Sequence, residues 1–182
     1  MNKFKKETID NIISIEGGFT DNPLDSGGPT RYGITERVAR KYGYTGRMDC
    51  LPKEFAFSVY ETIYWNAVCA DDLLLISEDL AYEVVDTAIN MGVYRASTFL
   101  QRWLNVLNRS QELYIDLTVD GKMGNKTIAA LKAYVQSGRK VDVLTTALNC
   151  SQGAYYLYLA EEYEKNEEFV YGWIDKRCDR RV

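Results

Sequence analysis

Three side chains near the N-terminus are of the types that carry out acid–base chemistry: Glu16, Asp25 and Thr30. Glu16 falls three and four residues after Ile13 and Ile12, on the apolar stripe of a predicted helix that a glycine pair then ends. Burial disfavours the charged form of a carboxyl group. We therefore expect Glu16 to be half-buried and to keep its proton near neutral pH.

Asp25 has the opposite surroundings, because it lies in a turn with Ser26 and with glycines whose backbone amides can stabilise a negative charge. Thr30 could hold a water molecule beside it. A proton-donating acid and a charged carboxylate are the pair that cleavage of a glycosidic bond requires. Two simpler interpretations stay open: Glu16 could point into water, and Asp25 could cap a solvated turn.

The composition excludes several other chemistries. The chain of 182 residues contains no histidine, which removes Ser-His-Asp and Cys-His catalysis and the commonest zinc ligand. A net charge of −4 and a pI near 5.0 argue against nucleic acid as a partner, since no basic stripe is present. The four cysteines are far apart, and their spacing leaves open whether they are free thiols or form disulfides.

The glycine-rich segment between Asp21 and Gly28 does not have the pattern of a metal or phosphate site. It fails as an EF-hand because Pro23, Ser26 and Tyr32 stand where a ligand, a glycine and a glutamate are required. The glycine pair is not followed by the lysine of a phosphate-binding loop. We therefore expect neither a metal nor a cofactor.

The ends and the hydropathy of the chain bear on its location. The first residues lack the apolar run of a signal peptide, and no stretch approaches the length of a membrane span. We therefore expect a protein that is made in the cytoplasm and does not span a membrane. We further expect it to be a monomer.

Helical periodicity runs through most of the chain and predicts a mainly α fold. The strand candidates lie around Gly27 to Ile34, where a short β-hairpin could carry Asp25 and Thr30. Thr35 is the predicted N-cap of a short helix. Further along, Glu83 is predicted to lie on a solvated helix face, opposite an apolar stripe.

The N-terminal motif resembles the signature of glycoside hydrolase family 108, peptidoglycan muramidases that phages often encode. The residues that carry this resemblance are Glu16-Gly17-Gly18-Phe19, then Asp25, Gly27-Gly28, Thr30 and Gly33-Ile34, and further along Tyr60, Tyr64-Trp65 and Cys69 to Leu73. The spacing of Glu16, Asp25 and Thr30 is also similar to the Glu–Asp–Thr triad of phage-type lysozymes.

The second half resembles the predicted peptidoglycan domain that accompanies this family. The matching residues are Asp86, Ala88, Asn90 and Gly92, then Ala96 and Leu100-Gln101-Arg102, and then Val119-Asp120-Gly121, Gly124, Thr127 and Ala130-Leu131. The resemblance implies a lysozyme-like helical fold with a short β-hairpin near the active site, in a single compact chain. We divide it into a catalytic region at residues 1–87 and a helical peptidoglycan-domain-like region at 88–182, packed together.

The resemblance also implies a function. It predicts hydrolysis of the β-1,4 bond between N-acetylmuramic acid and N-acetylglucosamine, with glycan strands as the partner. Glu16 would be the acid, and Asp25 with Thr30 would activate water or stabilise the cationic transition state. The predicted substrate-binding residues are Tyr60, Tyr64, Trp65 and Asn90, although the aromatic residues could equally pack in the core.

Two alternative functions remain at this point. A lytic transglycosylase would use a single glutamate and form an anhydro sugar without water, and the presence of Asp25 argues against it. A non-catalytic wall-binding or secretion-assisting protein would keep the fold but would not need the acid. For the hydrolase, we expect a phage or prophage endolysin that reaches the periplasmic wall after a holin opens the inner membrane.

Overall fold

The computed structural model describes residues 2–21 and 28–178. Within these ranges the chain forms nine α-helices and one small three-stranded antiparallel sheet, which confirms the mainly α prediction. The chain divides into two compact units, Met1–Trp65 and Asn66–Val182. Within the described ranges, none of the helices combines the length and the apolar character that a membrane crossing requires.

The first unit consists of helices and the small sheet. Its elements in chain order are α1 (Lys3–Glu16), β1 (Phe19–Thr20), β2 (Thr30–Arg31), β3 (Ile34–Thr35), α2 (Glu36–Lys41), a 3₁₀ turn (Met48–Cys50), α3 (Lys53–Tyr60) and a π-helical segment (Glu61–Trp65). As predicted, the Thr35 side chain caps α2, accepting a hydrogen bond from the backbone N–H of Val38 at 3.4 Å.

Helix α1 ends where its sequence requires it to end. Its N-terminus is capped by Asn2, whose side chain accepts a hydrogen bond from the backbone N–H of Phe4 at 2.9 Å. Gly17 follows Glu16 with a φ of +84°, a conformation that a residue with a Cβ adopts only under strain. The buried face of α1 carries Ile9 and Ile13 and packs against α3.

The sheet is a meander in which β2 pairs with both neighbours. Thr30 lies opposite Thr20 on β1 and opposite Thr35 on β3. A turn of two residues, Tyr32 and Gly33, joins β2 to β3, and both have positive φ values, 53° and 72°. This is the pattern of a type I′ turn, whose twist matches that of the paired strands.

A charged side chain ties α1 to the π-helical segment. The Lys5 side chain is only 11% exposed, and its Nζ lies 2.6 Å from Glu61 Oε1. The same ammonium group lies 5.4 Å from the centroid of the Trp65 ring, within the range of a cation–π contact. These contacts hold the segment that carries Tyr64 and Trp65 against the first helix.

The described residues of the second unit form helices and no strand. Its elements are α4 (Ala70–Leu74), α5 (Glu78–Met91), α6 (Val93–Val106), α7 (Asn125–Gln136), α8 (Val141–Glu162), a 3₁₀ turn (Glu164–Asn166) and α9 (Glu167–Arg177). Helix α5 contacts α4, α6 and α8 and is the central element of the unit. The predicted boundary between residues 87 and 88 lies within α5, and it stays a prediction about where two functional regions meet.

Because helices surround the middle of α5, some of its polar residues are buried as well. Glu83 is only 1% exposed and Asp86 only 7%, so the prediction that Glu83 lies on a solvated face is wrong. The Gln152 amide on α8 donates to Asp86 Oδ2 at 3.3 Å and to Thr87 Oγ1 at 3.4 Å. A third helix contributes Arg177, whose Nη1 donates to Asp86 Oδ1 at 2.7 Å. This network replaces the water that these buried groups have lost.

We expect the replacement of Arg177 by glutamine to destabilise the protein by about 1–3 kcal/mol, because it removes the cation from a carboxylate that is almost fully buried. The exposed pair of Lys132 and Asp72 provides the control, since its atoms are 4.0 Å apart and half-exposed. Lys132→Gln should change the free energy of unfolding by less than about 0.5 kcal/mol. Urea denaturation measures both, and equal effects would contradict the assignment.

Candidate active site

Glu16 is the last residue of α1, and its side chain is exposed. The prediction that it is half-buried is therefore wrong. The physical reason is that the chain turns away at Gly17, so the last turn of the helix extends beyond the apolar core; the preceding Ile15 is also 60% exposed. The structure thus places the carboxyl at the edge of the core, where a large ligand can reach it.

One side of Glu16 is nevertheless closely packed. A Cβ atom at Gly33 would overlap the Tyr60 hydroxyl and would lie 3.1 Å from Glu16 Oε2 and 3.2 Å from Glu16 Cβ. The turn between β2 and β3 therefore lies directly against the acid. Glycine is required here twice over, by the positive φ and by the lack of space.

The Tyr60 hydroxyl connects α3 to the same turn. It donates a hydrogen bond to the backbone carbonyl of Tyr32 at 3.2 Å, although the two residues are 28 positions apart in the sequence. Tyr60 is only 4% exposed, so its ring is part of the core and its hydroxyl reaches the surface turn. This hydrogen bond holds the turn between β2 and β3 in position beside Glu16.

Tyr64 is the second tyrosine close to Glu16. Its ring centroid lies 5.6 Å from that of Tyr60, and the residue is half-buried within the π-helical segment. Burial first, and then the negative charge of Glu16, raises the pKa of both tyrosines. Short π-helical segments inside helices frequently occur at functional sites. Among Tyr60, Tyr64 and Trp65, Tyr64 is thus the residue that retains accessible surface.

Thr30 lies on β2, the strand that leads into the turn containing Gly33. Its side chain is half-buried, and its hydroxyl donates a hydrogen bond to the backbone carbonyl of Gly28 at 3.0 Å. The predicted hairpin does carry Thr30, with β1 as an additional strand that the sequence did not reveal. Asp25 lies outside the described residues, so its predicted role stays a prediction.

The other predicted substrate-binding residues differ from Tyr64. Trp65 has no exposed surface, and Tyr60 is nearly as buried, so core packing is their role in this structure and neither presents a ring to a ligand. Asn90 is exposed, belongs to the second unit, and donates from its side-chain amide to the Asp86 carbonyl at 2.7 Å. The sequence missed the role of Gly33, although its place in the motif was a signal.

The raised pKa of Tyr60 leads to a prediction about stability at alkaline pH. Its folded-state pKa is raised above the ordinary value near 10, so the stability it contributes is complete below about pH 10 and is lost as the pH rises towards the folded pKa. Between about pH 9 and about pH 11, wild type should lose up to about 1.4 kcal/mol more stability than Tyr60→Phe. Urea unfolding at both pH values measures this, and equal losses in the two proteins would contradict it.

In this chain a helix ends in an exposed acid beside a small antiparallel sheet, and further helices follow along the sequence. This arrangement is typical of lysozyme-like proteins. The comparison with protein families agrees. Residues 9–92 match the family described as Glycosyl hydrolase 108, and residues 95–178 match the family described as Predicted Peptidoglycan domain. The two family models thus match the chain one after the other over most of its length, which confirms the resemblance found in the motifs.

A solved structure shares the fold. The structure of Brucella abortus SagA is similar to this chain with a TM-score of 0.62 and 24% sequence identity, over 96% of this chain and 95% of that chain. At this identity the likeness concerns the fold. No curated protein matches the chain at a significant level. The family matches define a lysozyme-like protein that acts on peptidoglycan.

Proposed function

We propose that the protein is an N-acetylmuramidase that hydrolyses the β-1,4 bond between N-acetylmuramic acid and N-acetylglucosamine. The observation that carries this proposal is the position of Glu16 in the segment that matches the glycosyl hydrolase 108 family. Its side chain is open to a ligand on one side and lies against the turn at Gly33 on the other. A group held in this way can be presented to a glycosidic oxygen in one orientation.

Glu16 acts as the general acid in this proposal. It gives its proton to the oxygen of the leaving sugar as the glycosidic bond breaks. A glycan that lies over the exposed carboxyl excludes water from the place where the proton is transferred. In this proposal the glycan itself covers the Glu16 carboxyl, which agrees with the exposure of Glu16 in the free protein.

Asp25 and Thr30 serve the opposite face of the sugar ring. We propose that Asp25 either activates the attacking water or stabilises the positive charge on the ring, with Thr30 positioning that water. Thr30 supports this because it lies on the strand that enters the turn packed against Glu16. Tyr64 is the proposed contact for a sugar face, since its ring is next to the acid and is accessible in part.

The test is a mass analysis of the fragments that the protein releases from purified peptidoglycan. The muramidase produces fragments with a reducing N-acetylmuramic acid end, each carrying the elements of one added water. A lytic transglycosylase gives anhydro fragments that are lighter by one water, and that result would replace the hydrolase. Binding to the polymer without the release of fragments would favour a non-catalytic wall protein.

We also propose the biological setting of an endolysin from a phage or prophage. A wall hydrolase of this kind passes the inner membrane through a holin pore and degrades the periplasmic wall, which makes it bacteriolytic and antimicrobial. The proposal predicts that the purified monomer clears a suspension of permeabilised Gram-negative cells. A suspension that keeps its turbidity under conditions where purified peptidoglycan is digested would contradict this setting.

A further inference from the structure

The second unit contains a cavity of about 250 Å³ that has no part in the mechanism above. Helices α5, α6, α8 and α9 all contribute to its lining, which includes Asn90, Arg95, Tyr155, Tyr156 and Trp173. Binding sites for whole drug-sized molecules are larger, about 300–1,000 Å³. A cavity of this size therefore suits one end of a molecule, such as the last residue of a short peptide.

Arg95 gives the cavity its charge. Its guanidinium carbon lies 3.8 Å from the centroid of the Tyr155 ring, close enough for the two planes to stack. Its Nη1 also donates to the backbone carbonyl of Met91 at 3.4 Å. Among the residues that the structure describes, no carboxylate lies within 4.0 Å of this guanidinium. Arg95 is thus held in place while some of its N–H groups remain available to an anion.

The rest of the lining is aromatic and apolar. The Tyr156 and Trp173 rings lie 5.2 Å apart at an angle of 35°, and Trp173 is half-buried. Met91 and Leu159 complete this side of the cavity. An ordered cation next to such a surface fits a carboxylate that is attached to a small apolar group. It fits a polyanion poorly, because the lining residues that the structure describes offer one guanidinium.

We propose that this cavity binds the C-terminal carboxylate of the short peptides that branch from peptidoglycan glycan strands. The inference rests on the proposed function for the identity of the polymer, because those peptides end in a carboxylate on an alanine residue. Arg95 forms charge-assisted hydrogen bonds to the carboxylate, and the aromatic side chains contact the alanine methyl group. The stacking of Arg95 on Tyr155 already orders the arginine side chain, which reduces the conformational entropy lost on binding.

The experiment is calorimetric titration of the full chain with a synthetic stem peptide that ends in D-alanine, and with the same peptide as its C-terminal amide. Wild type should bind the acid at least about tenfold more tightly than the amide, as expected for charge-assisted hydrogen bonds. Arg95→Gln should remove that difference. Arg102→Gln, which changes an exposed arginine on the same helix, should preserve it.

Two results would overturn the proposal: equal affinity of wild type for acid and amide, or an unchanged preference for the acid in a folded Arg95→Gln protein. Arg95→Lys provides a second variant that keeps the charge but loses the planar stacking, and it should show an intermediate preference. Hydrolysis of glycan strands without peptides should be unaffected by Arg95→Gln. That assay separates a failure of this site from a failure of the proposed muramidase, which would abolish hydrolysis in wild type itself.

Discussion

Glu16→Gln should lower the turnover of purified peptidoglycan by about 10²–10⁴-fold, the usual contribution of a positioned general acid. Glutamine keeps the size of the side chain and its contacts with Gly33, but it has no proton to give to the leaving oxygen. The expected loss lies in kcat, because the amide can still occupy the space beneath the substrate. Release of soluble muropeptides, followed over time, measures it.

Glu7→Gln is the matched control for this variant. Glu7 lies on the same helix, is exposed, and contacts Lys3 at 3.6 Å in an ion pair that contributes little to stability. Glu7→Gln removes the same negative charge as Glu16→Gln, but nine positions earlier in the chain. We expect it to retain wild-type turnover. Similar activity in the two folded variants would exclude Glu16 as the acid.

Gly33→Ala should have the second largest effect, because the new methyl group has no space. It would force a residue with a Cβ to keep a φ of +72° and would overlap the Tyr60 hydroxyl. Strain and overpacking together should cost about 2–5 kcal/mol of folding stability. The displaced turn should also move Glu16, so we expect turnover to fall at least about tenfold in the molecules that remain folded.

Two further variants separate strain from overlap. Gly43 has a φ of +89° and no atom within 4 Å of the position of a Cβ, so Gly43→Ala carries the strain without the overlap. It should be less destabilising and should leave turnover unchanged. Adding Tyr60→Phe to Gly33→Ala removes the hydroxyl that the methyl group meets, and it should restore part of the lost activity. The absence of any recovery would contradict the packing described for Gly33.

Local sequence signals predicted much of the first unit. The cap at Thr35 and the glycines after Glu16 are sufficient to place helix boundaries, since each acts on its own neighbours. The motif around Glu16 and Thr30 likewise predicted a hairpin beside a helix end. The structure shows Thr30 on that hairpin and Gly33 in its turn, against the acid.

Long-range packing could not be predicted in the same way. The bond from Tyr60 to Tyr32 and the burial of Glu83 depend on which helices meet, and no local pattern encodes that. The exposure of Glu16 could not be predicted for the same reason. The apolar stripe of α1 does not show how far along the helix other elements pack against it. Trp65 shows the converse, since an aromatic residue in a family motif proved to be part of the core.

The proposed role of Glu16 is to donate a proton to the leaving sugar, and the most direct test of this role compares two substrates. An aryl glycoside with a good leaving group needs little protonation, whereas a glycan strand needs it fully. We predict that Glu16→Gln loses at least about 100-fold more turnover on the glycan strand than on the aryl glycoside. Equal losses on both substrates would contradict the role of Glu16 as the acid.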